Sequence, residues 1–148
     1  MVLLKKVWRY LSAVISKKTK YGFKALGYLA RKGQGSQAVI SEIAEAEHIP
    51  RKFLEAILLE LKNHGMLGSR LGKGGGYYFK QDPAEISLAS IYRLLEGPIA
   101  MLPCVSLNYY ERCTDCHNEE ACSLNKVMIE VRDRTLSVLE HRSVADLI

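Results

Sequence analysis

Residues 36–80, SQAVISEIAEAEHIPRKFLEAILLELKNHGMLGSRLGKGGGYYFK, decide the fold. Ser41 is a natural N-cap for a short helix over Glu42 to Glu47, with Ile43 and Ala44 pointing inward. The turn Glu47-His48-Ile49 leads to Pro50, a residue favoured at the first helical position. A second helix then carries Phe53, Leu54, Ile57, Leu58 and Leu61 at helical spacing and ends by Gly65. Beyond it, Met66 to Leu71 and Tyr77 to Phe79 read as two strands around Gly72-Lys73-Gly74-Gly75-Gly76, whose glycines permit the positive φ angles of a hairpin tip. Two helices joined by a short turn and followed by a glycine-tipped ribbon make a winged helix-turn-helix. The expected class is mainly α with a small β-hairpin.

Working outward, Thr19 to Arg31 places Tyr21, Phe23, Ala25, Leu26, Leu29 and Ala30 on one helical stripe, closed by Gly33. A further helix is expected from Ser87 to Glu96, broken by Gly97-Pro98. From Leu124 the positions Leu124, Met128, Val131, Thr135 and Val138 alternate steps of four and three, the seam of a long helix that pairs with a partner. The organisation read from this is an N-terminal extension (1–15), a winged helix-turn-helix (16–96), a cysteine-rich loop (97–123), and a dimerisation helix with a C-terminal tail (124–148). The extension reads either as a short amphipathic helix built on Leu4, Val7, Trp8, Leu11 and Ile15, or as residues upstream of the natural start.

Charge is segregated. Fifteen Lys and Arg stand against five Asp and Glu up to Lys80, and six against eleven beyond it, so the overall +5 conceals a basic half that suits a polyanion. The N-terminal end of the second helix of a helix-turn-helix enters the major groove of double-stranded DNA, and Arg51 and Lys52 stand there. Arg70 and Lys73 lie on the wing, slim enough to approach the minor groove or backbone, and Lys17, Lys18 and Lys20 could grip phosphates from the start of the first helix. A single lysine among these is most simply a solvated surface charge; their convergence on three elements weakens that reading. The glycine run lacks the spacing of a nucleotide-binding loop and does not open a helix. His48 and His64 are read as turn and surface residues.

No apolar run approaches the roughly 20 residues needed to cross a bilayer, so no membrane is expected and the cytoplasm is the expected compartment. All four cysteines, Cys104, Cys113, Cys116 and Cys122, are spaced C-x8-C-x2-C-x5-C. Four thiolates so close in sequence can surround an iron-sulfur cluster or a zinc ion, serve as a redox dithiol, or hold nothing; the spacing does not choose among them. A thiol oxidoreductase would set its CxxC at a strand-to-helix junction, whereas Cys113 and Cys116 lie beside Asp115, Glu119 and Glu120, which raise thiol pKa values. No Ser-His-Asp set or carboxylate pair has a hydrolytic context. The chain reads as a regulator rather than an enzyme.

Three stretches carry a family resemblance: Ser16-Lys17-Lys18-Thr19-Lys20-Tyr21, Ile49-Pro50-Arg51-Lys52-Phe53-Leu54-Glu55 and Ser69-Arg70-Leu71-Gly72-Lys73-Gly74-Gly75-Gly76-Tyr77. With the cysteine loop and the long last helix, they resemble the Rrf2 family of bacterial transcriptional regulators, from about Ser16 to the C-terminus. The resemblance implies a homodimer built on the last helix, binding of a palindromic operator, and a repressor controlled by an iron-sulfur cluster. It places Tyr21, Ser41, Pro50 and Gly75 with the basic residues above on the DNA side. The chain departs from the family in its fourth ligand. The IscR-like branch has a His three positions after its last cysteine, where Asn125 stands; the NsrR-like branch has an acidic residue before the first-helix Tyr, where Lys20 stands. Cys104 and Cys122 keep family positions, Cys116 keeps one family gap, and Cys113 is the added fourth, so an all-cysteine site is the expectation.

Overall fold

The computed structural model describes residues 15–148. The expected N-terminal helix and its apolar positions up to Leu11 lie outside the described residues.

Five α-helices and one hairpin follow each other as α1 (Lys17–Arg31), α2 (Ile40–Glu47), α3 (Arg51–Asn63), β1 (Leu67–Arg70), β2 (Gly76–Phe79), α4 (Leu88–Leu95) and α5 (Ser123–Glu140). α1 starts two residues before the expected Thr19 because Ser16 is its N-cap, accepting from the Thr19 amide at 3.2 Å. Its inward stripe buries Ala25, Leu26 and Leu29 against Ile57, Leu58 and Leu61 of α3 and Ile43 of α2 in one core. Each of the Leu and Ile side chains contributes about 1.5–3 kcal/mol by leaving water.

Two boundaries differ from the sequence reading. Val39, not Ser41, is the N-cap of α2, and no side chain caps it. The cause is a tertiary one: Ala38 forms an antiparallel bridge with Tyr77, and the chain passes from that bridge straight into the helix, leaving Ser41 exposed in the first turn. Likewise Pro50 is the N-cap of α3 rather than its first residue, its carbonyl accepting from Phe53 and Leu54 at 3.0 Å, and Arg51 opens the helix. Between them His48 takes a left-handed φ of 53° to make the tight turn.

β1 and β2 pair antiparallel from Leu67↔Phe79 to Arg70↔Gly76. The Ala38 bridge adds a one-residue third member to this ribbon, with Tyr77 N donating to Ala38 O at 2.8 Å and Ala38 N to Tyr77 O at 3.0 Å. Gly76 makes the approach possible, since a Cβ there would lie 2.5 Å from the Ala38 carbonyl. Ser87 caps α4 by accepting from Ser90 N at 3.2 Å. After α5 the tail returns to the first layer. Val144 is fully buried, its amide donates to Ile86 O at 3.0 Å, and Leu88 N donates to Arg142 O at 2.8 Å.

Candidate nucleic-acid interface and cysteine loop

Charge pairing separates the cations that hold the fold from those that do not. Glu42 takes Lys32 at 2.6 Å and the Tyr28 hydroxyl at 2.7 Å, which joins α1 to α2. Glu47 takes Arg31, and Lys24 at 3.4 Å, across the same joint. Glu60 of α3 takes Lys18 at 2.6 Å, and Arg51 pairs with Glu55 one turn on at 3.3 Å. The acidic groups of the basic half are therefore largely consumed in joining helices. Lys17, Lys20, Lys52 and Lys73 remain exposed, with no partner among the described residues.

Lys17 and Lys20 stand on the first turn of α1, Lys73 at the wing tip, and Lys52 at the N-terminal end of α3. Pro50, Arg51 and Lys52 are exposed there, and Phe53 is in edge-on contact with Tyr21 of α1, ring centroids 5.6 Å apart. The contact sets Tyr21 of α1 beside the N-terminal end of α3, while Lys18, one turn earlier, reaches Glu60 near the helix's other end. On the wing Arg70 lies over the Tyr78 ring at 5.0 Å, while Lys73 sits at the tip. Gly75 is half-buried, and a Cβ on it would run into the Arg70 carbonyl; its role is to close the hairpin. Gln37 donates to Gly74 O and braces the tip from the α1–α2 loop. Neither Gln37 nor Ala38 was identified from the sequence; a one-residue bridge has no periodic signal.

The second region is the stretch from Gly97 to Cys122. Its four cysteines are free and half-buried. Cys104 lies in a 3-10 turn (Pro103–Val105). The neighbouring Cys104 thiol, with burial and then the Cys104 and Asp115 charges, pushes the Cys113 thiol up to about 11. Of the three acidic residues only Asp115 acts on Cys113, in the expected direction, and the neighbouring thiol is the larger cause. Cys122 is the N-cap of α5 and accepts from Asn125 N at 3.4 Å. Asn125 is buried, and its Nδ2 donates to Cys104 Sγ at 3.5 Å. The residue standing where a ligand was expected therefore touches the first and last cysteines of the motif.

A soft, four-thiol donor set suits zinc or an iron-sulfur cluster by its chemistry. Its arrangement is not assembled: Cys116 N donates to Cys113 O at 3.4 Å, and among the described residues no three His, Cys, Asp or Glu side chains are placed to hold a metal ion. The loop is tied to α5 by Arg132, which donates to Val105 O at 2.7 Å. On α5 the outward positions Leu124, Val127 and Val138 are more than half exposed, whereas Met128 and Val131 are half-buried. The outer apolar face thus runs through Val127 where Met128 was expected. No helix of the described residues is long and apolar enough to cross a membrane.

The profile of the Rrf2 family, described as an iron-dependent transcriptional regulator, matches residues 15–148. An Rrf2-like HTH-type transcriptional regulator of Rhodobacter capsulatus is 38% identical over 138 residues, covering 91% of this chain and 92% of that protein. The structure of CymR, described as the global cysteine regulator of Bacillus subtilis, superposes with a TM-score of 0.75 at 28% identity, covering 92% of this chain and 96% of that one. IscR of T. potens shares the fold at a TM-score of 0.71 and 24% identity, covering 93% and 87%. The likeness runs along nearly the whole length, and the chain belongs to the Rrf2 family of transcriptional regulators, which are not enzymes.

Proposed function

We propose that this regulator is a cytoplasmic homodimer that binds a palindromic operator as a repressor, with its DNA affinity controlled from the cysteine loop. The observation that carries the reading is the exposed, basic N-terminal end of α3, with Tyr21 of α1 packed on Phe53 beside it. Arg51 and Lys52 are assigned to base edges and neighbouring phosphates. Lys73 is assigned to the minor groove or its backbone, and Lys17 and Lys20 to phosphates. Lys18 contributes to the local field, its ammonium held on Glu60. The outer face of α5 pairs the two copies. Replacing Val127 and Val138 together by Glu should give a monomer by sedimentation, with helix content unchanged and operator affinity lost.

Cys104, Cys113, Cys116 and Cys122 are the residues to hold an iron-sulfur cluster, or zinc in its place, when Cys116 and Cys122 close on the Cys104–Cys113 pair. Such a cluster supplies a centre that responds to iron supply and oxidants. The chain's own part is to bring the thiols together between the end of α4 and the start of α5, so that the order of this loop changes the spacing of the two recognition helices. Anaerobic purification with iron, sulfide and zinc analysis, joined to operator selection on the same sample, tests cofactor and output together. A colourless protein with one zinc per chain would sink the cluster, and indifference to duplex sequence would sink the specific regulator. The nearness of the free Cys104 and Cys113 thiols in one loop favours one further reading, a thiol switch in which an oxidant takes two electrons and two protons to join them as a disulfide. A metal-free protein whose DNA affinity changes reversibly with dithiol would establish it.

A further inference from the structure

The first turn of α1 is held by a residue eighty positions away. One oxygen of Glu96, Oε2, accepts from the Ser16 amide at 2.9 Å, from the Ser16 hydroxyl at 2.7 Å and from the Thr19 hydroxyl. Thr19 is fully buried, so this is an internal joint rather than a surface contact. A carboxylate at a helix N-terminus satisfies groups the helix leaves unpaired and complements its dipole. Here that carboxylate comes from the end of α4, so the setting of the first turn depends on where α4 ends. Lys17 and Lys20 project from that turn, exposed and unpaired among the described residues, while Lys18 between them is held on Glu60 of α3. Glu96 is also the residue before Gly97, which is buried with a φ of 111° and opens the cysteine-bearing stretch.

We propose that Glu96 is a positioning residue for DNA binding: it fixes the first turn of α1 so that Lys17 and Lys20 meet backbone phosphates, and it ties that grip to the start of the cysteine loop. The proposal rests on the phosphate contacts assigned above to Lys17 and Lys20. The opposing effect is its charge, since a carboxylate near a polyanion weakens binding. Three donors and the helix terminus compensate that charge where it stands, so the loss of two aligned lysines outweighs it. The two effects have opposite signs, which makes them separable.

The test is binding of the full chain to a mixed-sequence duplex across a salt series, for wild type, Glu96→Ala, Glu96→Gln, Thr19→Val and a Lys17→Ala, Lys20→Ala double variant. Glu96→Ala is expected to bind about tenfold more weakly, with a log affinity against log salt slope flatter by about one to two. Glu96→Gln keeps an acceptor oxygen and should stay within about twofold of wild type. Thr19→Val, which removes one donor and leaves the carboxylate, should move in the direction of Glu96→Ala by less, and it keeps the proposal testable if the alanine variant folds poorly. A merely structural loss lowers the active fraction without changing the slope. Tighter binding by both Glu96 variants would overturn the proposal in favour of simple charge repulsion. So would a wild-type slope in Glu96→Ala and Thr19→Val while the double lysine variant flattens. A wild-type slope in the double variant is a different failure: it removes the phosphate contacts themselves, and the proposal with them.

Discussion

The wing and the cysteine loop are both irregular stretches between regular elements, yet they are held in opposite ways. The wing tip is clamped from every side: a four-pair ladder at its base, paired bonds between Ala38 and Tyr77, and Gln37 on Gly74. The cysteine loop has one short 3-10 turn, and its ties to the rest of the chain run through single side chains, chiefly Arg132 on Val105 O and Asn125 on Cys104. Within it Tyr110 bonds Glu119 and Arg112 bonds His117 O. A long loop inside a compact fold is usually functional. On the proposed function, the difference teaches where change can enter: a ribbon that meets DNA in register would be built stiff, and a stretch that answers a signal would be built from contacts that break singly.

The largest way to break this comparison is Gly76→Ala. The alanine would have to hold a φ of 142° with its Cβ 2.5 Å from the Ala38 carbonyl, so it must open the bridge between α2 and the ribbon. A loss of about 3 kcal/mol in urea unfolding is expected, with DNA binding lost alongside it. Stability within experimental error of wild type would mean that the ribbon is not clamped there. Arg132→Ala tests the other side. Its side chain is largely buried and its bond to Val105 O, at 2.7 Å, is charge-assisted, so about 1–2 kcal/mol is expected from its loss. Amide exchange should quicken around residues 103–109 and stay unchanged at 67–79; equal acceleration in both would show that loop and wing open together. Lys73→Ala should leave stability within about 0.5 kcal/mol and flatten the salt dependence of DNA binding by about 0.9, because the tip lysine braces nothing.

How much of this could be read from the sequence follows the same division. α1, α3, the hairpin and α4 were legible because their apolar residues recur at one period and their ends carry local signals, as at Ser87. What was misread lay where a distant partner decides. Ser41 has every local property of an N-cap, but the Ala38–Tyr77 bridge starts α2 earlier. Glu96 looks like the last residue of a helix, and its role is set by Ser16 and Thr19 at the other end of the domain. The four cysteines were legible as a candidate donor set. Their mutual placement was not, because loop conformation is fixed by tertiary ties such as Asn125, which the sequence offered only as the wrong residue at a ligand position.

The smallest expected effect sharpens the contrast from the stiff side, through pH. The Lys32 ammonium and then the Tyr28 hydroxyl hold the Glu42 carboxyl below its ordinary range, and the same bond to Glu42 holds the Tyr28 hydroxyl above its own. The signs are opposite. The depressed carboxyl contributes stability that is complete above its unfolded value and is lost as pH falls through its folded value; the raised phenol contributes stability that is complete below its unfolded value and is lost as pH rises through its folded value. The joint between α1 and α2 is therefore strongest at intermediate pH and loosens at both ends. Glu42→Gln should flatten the acid limb of a stability-against-pH curve, and Tyr28→Phe the alkaline limb, each by a small amount because both partners are partly exposed. Neither change should alter exchange in the cysteine loop. If Glu42→Gln loosened residues 103–109 as well, α2 and the loop would belong to one cooperative unit, and the division between a stiff output and a yielding input would have to be redrawn around α1.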